Sequence, residues 1–171
     1  MTYQNIIFEH AEPGIYVLTV ADGATLHGMS SSWVTQVSGN PPLFSAAVDT
    51  SHISREIISR TNSFGLNVVG RGGKVLEDYF YSASSRGPDN LASQKYALSP
   101  TLKVPWLRLA MIRIGAKVTA SFVAGDHTIF VAEPLEIEIG EDDQPLTSLD
   151  LDYIYLGGKQ FFDRRSLRTR A

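Results

Sequence analysis

The sequence contains no cysteine, which excludes disulfide bonds, thiolate chemistry and cysteine-based metal sites. Positive charge is also scarce, because 15 Lys and Arg residues face 18 Asp and Glu residues and leave a net charge of -3. A protein that binds nucleic acid by neutralising phosphates needs the opposite balance, so we expect no nucleic-acid partner. No apolar run is long enough to cross a membrane, and the first residues lack the pattern of a signal peptide. We therefore expect a cytoplasmic protein without a membrane partner, in keeping with the missing cysteine.

Side chains for acid–base or metal chemistry are few. The histidines are His10, His27, His52 and His127. No His-Glu-x-x-His spacing connects them, so we predict no metal site. The sequence also lacks a Walker loop, a Gly-x-Gly-x-x-Gly fingerprint and a Gly-x-Ser-x-Gly nucleophile elbow. Any redox chemistry would therefore have to come from a bound organic cofactor.

What the sequence does contain is a series of short segments rich in β-branched and aromatic residues, separated by turn signals. With 171 residues, 43% of them hydrophobic, the chain 1–171 is long enough for one domain with a substantial core. Apolar spacing predicts two short helices, one starting near Ser51 and one near Val75. Strands and helices do not alternate, so the pattern favours a mainly β fold with an antiparallel barrel. The predicted strands are 5–10, Ile15–Val20, Leu43–Val48, Phe64–Val69, Ala116–Val123, His127–Ile139 and Leu151–Leu156, and 82–99 is predicted to be a surface loop.

The stretch from Gly23 to Thr50 has the most distinctive composition. Hydroxyl-bearing and small residues surround Trp33, and the Asn40-Pro41-Pro42 break separates them from a short apolar segment. Because proline gives no N–H to a sheet and cannot continue a helix, we predict two extended segments joined by a turn. Their hydroxyl groups and backbone amides would lie on one rim, which suits a ligand with many acceptors, such as a flavin and its phosphate. An ordinary Ser/Thr-rich strand pair is the alternative. The rim hydroxyls are those of Ser30, Ser31, Ser32 and Thr35.

The first predicted helix is a candidate anion site. Thr50 or Ser51 is expected to cap it, and Ser51 and Ser54 place hydroxyl groups near its first turn. A helix N-terminus carries free N–H groups and a partial positive charge, so it can hold a phosphate, and Arg55 lies nearby. A normally capped amphipathic helix explains the same residues equally well.

Four segments, in this order, resemble the flavin reductase-like family of FMN-binding split barrels over roughly residues 10 to 160. They are Ser30-Ser31-Ser32-Trp33-Val34-Thr35-Gln36-Val37-Ser38 with Asn40-Pro41-Pro42-Leu43, Val48-Asp49-Thr50-Ser51-His52-Ile53-Ser54, Phe64-Gly65-Leu66-Asn67-Val68-Val69, and Gly125-Asp126-His127-Thr128-Ile129-Phe130-Val131-Ala132-Glu133. The resemblance implies a six-stranded antiparallel split β-barrel of the Greek-key type, with short inserted helices. It also implies a homodimer whose interface helps to shape the site.

The resemblance further implies a flavin site. FMN, or FAD, is expected to lie with its ring along Met29–Thr35 and its ribityl and phosphate groups against Val48–Ser54. His127 matches a position on the nicotinamide side of the flavin and is expected to be catalytic. Relatives often carry Arg-Tyr-Thr where this chain has His52-Ile53-Ser54, so the phosphate would meet a weaker, titratable cation. This difference fits either a loosely held flavin substrate or compensation by another cation such as Lys95 or Arg55. The expected cofactor-binding residues are Met29, Ser30, Ser31, Ser32, Trp33, Val34, Thr35, Val48, Asp49, Thr50, Ser51, His52, Ser54 and Lys95.

The function that the resemblance implies is hydride transfer from NADH or NADPH to flavin, in some cases for a monooxygenase partner. The alternative is an FMN-binding electron-transfer protein or partner domain without its own nicotinamide site. A binding module related only by fold is a third reading, since a fold does not fix a function.

Overall fold

A computed structural model describes residues 14–81, 87–140, 142–157 and 160–163, and the strand predicted at 5–10 and the basic tail at 164–170 lie outside these ranges. The strands are β1 (Tyr16–Asp22), β2 (Thr25–Ser31), β3 (Val34–Gly39), β4 (Pro42–Asp49), β5 (Ser63–Val68), β6 (Tyr96–Leu98), β7 (Pro105–Leu107), β8 (Ile112–Ala124), β9 (His127–Ile139), β10 (Tyr153–Gly157) and β11 (Gln160–Asp163). The α-helices are α1 (Ile53–Thr61) and α2 (Lys74–Tyr81), and short 3-10 helices lie at Arg71–Gly73 and Ser148–Asp150. No helix in these ranges is long and apolar enough to span a membrane.

Seven strands form the principal sheet, in the order β2-β1-β5-β8-β9-β4-β3, and every neighbouring pair is antiparallel. The prediction of a mainly β, antiparallel fold with short inserted helices is therefore confirmed. The strand count is seven rather than six, because Ser32 and Trp33 divide the stretch before the proline turn into β2 and β3. These two strands are the edges of the sheet and do not pair with each other within the described ranges. Since only Ser32 and Trp33 connect them, the end of β2 and the start of β3 lie close together at one corner of the sheet.

Local turn signals account for the hairpins. Gly23 and Gly125 adopt positive φ angles of 59° and 63°, which glycine tolerates, and they form the β1–β2 and β8–β9 turns. Proline cannot donate to a sheet ladder, so Pro134 within β9 requires an edge or a bulge. Ala116 pairs with Pro134 whereas Gly115 pairs with Glu136, so β9 carries an extra residue at this point and forms a bulge.

The core forms where α1 covers the inner face of the sheet. Ile57 and Ile58 of the helix are almost fully buried against Leu18 and Phe64 in the main hydrophobic cluster. Burying one such side chain contributes roughly 1.5–3 kcal/mol, so this contact fixes the helix on the sheet. Val48 belongs to the same cluster and is fully buried, so this predicted cofactor-binding residue is part of the core. The start of α1 is thereby held at the end of β4.

Asn67 ties the short strand β7 to the principal sheet. Its amide nitrogen donates to the Val17 carbonyl at 3.1 Å and to Thr19 Oγ1 at 3.2 Å, and its carbonyl accepts from the Leu107 N–H at 2.7 Å. The side chain is fully buried, and each of these bonds satisfies a group that would otherwise be buried without a partner. Asn67 is thus a structural residue within the motif that resembled the family.

Candidate functional site

The start of β3, the end of β4 and the start of β9 converge at one end of the sheet. The ring centroids of Trp33 and His127 lie 4.6 Å apart, with an interplanar angle of 42°. The Trp33 carbonyl accepts a hydrogen bond from the Ala47 N–H at 3.0 Å. The N–H and Oγ1 of Thr50 both donate to the Asp126 carbonyl, at 2.9 and 3.1 Å. These bonds hold the β8–β9 turn beside the start of α1.

His127 is a buried polar residue with a fixed orientation. It is 4% exposed, and its Nδ1 lies 2.7 Å from Oδ1 of Asp126. An ionised carboxylate can only accept, so Nδ1 carries a proton and the ring is held against Trp33. The predicted catalytic residue and the predicted flavin contact therefore lie in one cluster.

Helix α1 begins with an unusual cap. The N-cap residue is His52, with φ -82° and ψ 139°, and its Nδ1 accepts a hydrogen bond from the Ser54 N–H at 3.2 Å. The prediction that Thr50 or Ser51 caps the helix was wrong, because the Asp49 carboxylate engages Ser51 instead. This carboxylate accepts from the Ser51 N–H at 2.8 Å and from its hydroxyl at 2.7 Å. Burial raises the pKa of Asp49, but the two bonds from Ser51 outweigh it and lower the pKa overall.

The cap also decides the protonation state of His52. Since Nδ1 accepts from a backbone N–H, the proton of the neutral ring is on Nε2. Burial, followed by the neighbouring His27, lowers the pKa of His52 to about 4, against the opposing attraction of Asp49. Near neutral pH the ring is therefore an uncharged N–H donor, and the titratable cation expected from the sequence is not found in the free protein.

Two buried polar side chains beside this cap lack partners. His27 on β2 is 3% exposed, and neither of its ring nitrogens makes a hydrogen bond to a described residue. The hydroxyl of Ser54 is fully buried and equally unpaired within the described chain. The ring centroids of His27 and His52 are 5.3 Å apart. Because buried polar groups are normally paired, this corner is a place where a ligand can complete the hydrogen bonding. The sequence reasoning missed His27; its position two residues before Met29 on a predicted strand was the available signal.

The predicted cofactor-binding residues on β2 and β3 can meet a ligand through their backbone more than through their side chains. Met29 and Val34 pack against the main core cluster, and Ser31 is buried. Ser32 is half-buried at the corner, and Thr35 is exposed. Because β2 and β3 are edge strands, part of their outer backbone can meet a ligand, but not Gly28, whose N–H donates to Oδ1 of Asn90 and whose carbonyl accepts from Nδ2 of Asn90, both at 2.7 Å.

Ser30 is engaged by a buried carboxylate on α2. Its hydroxyl donates to Oε2 of Glu77, and the phenol of Tyr153 donates to Oε1. Glu77 is 2% exposed, and burial raises its pKa in spite of these two bonds. Tyr153 in turn stacks on Tyr81, with ring centroids 4.1 Å apart. Ser30 is therefore a fixed group rather than a free rim hydroxyl. The sequence reasoning missed Glu77, because a Glu-Asp pair on an amphipathic helix gives no sign of burial.

Lys95 is the predicted cofactor residue that the structure does not bring to this corner. It lines a separate open cavity of about 740 Å³ together with Arg108, Arg113 and Glu138. Glu138 lies near the end of β9, whereas His127 is its first residue. At ~3.3 Å per strand residue the two positions are tens of ångströms apart along the strand. Within one chain, Lys95 therefore does not compensate for an uncharged His52.

The corner combines an oriented imidazole, an indole, two sheet edges and a helix start with a neutral donor. The described residues contain no group of three or more His, Asp or Glu side chains that could hold a metal ion. Aromatic rings and backbone edges suit a planar ligand, and the helix start suits an attached anionic group. The described chain is thus an antiparallel β-sheet protein with a corner whose groups are suited to a planar ligand that carries an anionic group.

Comparison with known proteins gives the family. The flavin reductase like domain matches residues 9–157, and the chain belongs to this family. It is 24% identical over 145 residues to the NADH:riboflavin 5'-phosphate oxidoreductase of Streptomyces pristinaespiralis, which covers 84% of this chain and 80% of that protein. It is 25% identical over 138 residues to the reductase component of the 4-nitrophenol 4-monooxygenase/4-nitrocatechol 2-monooxygenase of Rhodococcus opacus, with 81% and 71% covered. The solved structure of the NADH:FAD oxidoreductase SgcE6 from Streptomyces globisporus C-1027, in complex with NAD and FAD fragments, has a similar fold. The TM-score is 0.76 at 20% identity, over 90% of each chain. The family expected from the four motifs is thus confirmed.

Proposed function

We propose that the protein is an NAD(P)H-dependent flavin reductase that binds FMN, with FAD as a second candidate, and passes hydride from the nicotinamide to the flavin. The observation that carries this function is the position of the Trp33–His127 pair beside the α1 start, in a chain of the flavin reductase like family. NADH is the first donor to test, because the Streptomyces pristinaespiralis relative is named as an NADH enzyme.

The residues at the corner fit FMN. Its phosphate would meet Nε2–H of His52 and the N-terminal turn of α1, near the unpaired hydroxyl of Ser54. Its ring would lie along the edges formed by Met29–Thr35. The nearest permanent cation on the helix, Arg55, donates through Nε to Thr128 at 3.4 Å. Because the permanent cation Arg55 is directed to Thr128, we propose that FMN is exchanged as a substrate rather than retained.

A bound flavin supplies the hydride acceptor, and the side chains supply orientation. The Asp126 carboxylate fixes the His127 ring, which is buried against Trp33 and keeps water from that side of the site. Holding the nicotinamide ring against the flavin ring in a fixed orientation accelerates hydride transfer, and this orientation is the main contribution that these residues can make. We propose that His127 contributes to catalysis by positioning the nicotinamide.

One observation favours the alternative, an FMN-binding electron-transfer protein without a nicotinamide site. The rings of Trp33 and His127 already touch, at 4.6 Å, so no third ring fits between them. A nicotinamide must therefore approach from outside the pair. If it does not bind there, the flavin is reduced by another protein.

The assembly is also part of the proposal. Leu135, Ile137 and Ile139 are 47%, 60% and 78% exposed along one face of β9, which is a large apolar surface for a free monomer. We propose that this face contributes to a homodimer and that the curled sheet forms a split barrel. A monomeric mass by light scattering would contradict the dimer. A monooxygenase that consumes the reduced flavin is a proposed partner, as for the reductase component from Rhodococcus opacus.

The function is tested by following the oxidation of NADH and NADPH by the purified protein with added FMN, FAD or riboflavin. Saturable oxidation that requires flavin supports the reductase. Tight FMN binding without nicotinamide oxidation, together with reduction of the bound flavin by dithionite, supports the electron carrier. Binding of no flavin at all contradicts both.

A further inference from the structure

The buried imidazole of His27 has no role in the fold or in the hydride transfer described above. It lies two residues before Met29 on β2, so the two side chains share the face that packs toward the core and α1. At 3% exposure neither ring nitrogen makes a well-formed hydrogen bond to a described residue, although the backbone carbonyls of Gly87 and Pro88 lie close enough to favour a proton on the ring. A buried polar group left unpaired costs free energy, so packing alone does not explain an imidazole at this position.

His52 is not able to serve as the cation of the site. Its Nδ1 accepts the Ser54 N–H that caps α1. A proton on Nδ1 of His52 would face the N–H of Ser54, so the capping hydrogen bond of the first turn of α1 would be lost. His27 has no such commitment, and its ring centroid lies 5.3 Å from that of His52. Of the two imidazoles, His27 can therefore take up a proton attracted by a bound anion at the lower cost in free energy.

The surroundings of His27 already favour its charged form in part. Burial lowers its pKa in the free protein, whereas the backbone carbonyls of Pro88 and Gly87 and the carboxylate of Asp89 act in the opposite direction. An imidazolium at this position would thus find acceptors in the loop that covers it. A bound anion would add negative charge to this corner and so favour the protonated ring further.

The Asp49 and Glu77 carboxylates near the His27–His52 pair are not free to supply negative charge to His27, and the nearby Arg55 is itself a cation. Asp49 attracts a proton to His52, but its carboxylate is bound to Ser51. Arg55 on α1 is turned to Thr128 on β9. Glu77 of α2 is occupied by the hydroxyls of Ser30 and Tyr153, and Ser30 is not on the His27 face of β2.

We propose that a phosphate dianion at the start of α1 draws a proton from solvent onto His27, so that FMN binding is linked to proton uptake. The inference rests on the proposed function, because the phosphate is that of the flavin. His52 supplies the fixed N–H donor, and His27 supplies the positive charge that the sequence lacks at the usual position. Since the bound state favours the protonated ring, the affinity that His27 adds for the phosphate dianion is complete below the free-state pKa of His27 and is lost as the pH rises through the bound-state pKa. Riboflavin, which has no phosphate, shows no such dependence.

The experiment is calorimetric titration of the whole protein with FMN at about pH 8, where the flavin phosphate with its second pKa near 6 is already dianionic. Titrations in two phosphate-free buffers of different ionisation enthalpy give the number of protons taken up. The expected result is uptake of a measurable fraction of one proton with FMN and none with riboflavin. Equal heats in both buffers, with FMN still bound, would overturn the role of His27 and leave the flavin reductase standing. Failure to bind either flavin would overturn the proposed function and this inference together.

Variants locate the proton. His27→Asn should abolish the uptake and weaken FMN binding roughly fivefold to tenfold, the effect of one partly screened charge, while riboflavin affinity stays the same. Asp89→Asn in the exposed loop should reduce the uptake without touching the core, and it decides the matter if His27→Asn does not fold. Ser59→Ala on the outer side of α1 is the matched control and should leave the uptake unchanged. Uptake that survives in His27→Asn, or in Asp89→Asn at its full value, contradicts the assignment.

Discussion

Replacing His52 with Asn tests how the helix cap responds to acid. Asn keeps a side-chain acceptor at the N-cap, where it is among the preferred residues, but takes up no proton. The pKa of His52 is about 4 in the folded protein against an ordinary value of 6.5, because burial and then His27 disfavour the charged ring. Between these values the unfolded chain binds the proton more readily. The stability that the neutral ring contributes is therefore complete above pH 6.5 and is lost as the pH falls toward 4.

The magnitude follows from the shift. One pKa unit corresponds to about 1.4 kcal/mol, so the full effect is about 3.5 kcal/mol, of which roughly 2.5 kcal/mol is reached near pH 4.5. Urea unfolding at about pH 7.5 and 4.5 should show the wild-type protein losing roughly 2.5 kcal/mol more than His52→Asn over this interval. At the higher pH the two proteins should differ by less than about 1 kcal/mol, the usual worth of a cap. Ser59→Ala on the same helix should follow the wild-type pH dependence. Parallel pH profiles for the wild type and His52→Asn would refute the neutral, capping imidazole.

Three further substitutions test the rest of the site and its support. Glu77→Ala removes the acceptor of two buried hydroxyls and should cost about 1–3 kcal/mol in chemical denaturation, whereas Asp78→Ala, which removes only a surface ion pair, should cost less than about 1 kcal/mol. Asn67→Ala breaks the bonds that hold β7 to the sheet and should lower the unfolding free energy by roughly 2–4 kcal/mol, and an unchanged melting temperature would mean that β7 is held by packing alone. His127→Ala should slow hydride transfer more than it weakens FMN binding in rapid-mixing and titration experiments, and an equal loss of both would assign it a structural role.

Most of the fold could be predicted from the sequence because its signals are local. The β1–β2 turn at Asp22-Gly23, the strand pair around the Asn40-Pro41-Pro42 break and the Pro134 bulge each follow from the chemistry of a few neighbouring residues. The break at Ser32 and Trp33 could not be predicted, since the residues on both sides of it have a composition typical of strands. The segment becomes two edge strands only because β2 pairs with β1 and β3 pairs with β4 in the folded sheet.

The site was less predictable because its contacts join distant parts of the chain. A hydroxyl residue is the best local guess for a cap, but the Asp49 carboxylate engages Ser51 and leaves the cap to His52. Burial of Glu77 depends on β2 and β10 meeting over α2, which no spacing along the helix reveals. Lys95 had the right chemistry for a phosphate, but the length of β9 separates it from the α1 start.

The central claim is that hydride passes to a flavin held at the corner of Trp33, His127 and the α1 start. It is tested most directly by mixing the protein with FMN and NADH without oxygen and following the loss of the oxidised flavin spectrum. The wild type and Lys95→Ala should reduce FMN at the same rate, and His127→Ala should reduce it at least about tenfold more slowly, a loss of about 1.4 kcal/mol of transition-state stabilisation. Reduction no faster than that of free FMN with NADH, or an equal rate for His127→Ala, would contradict the claim.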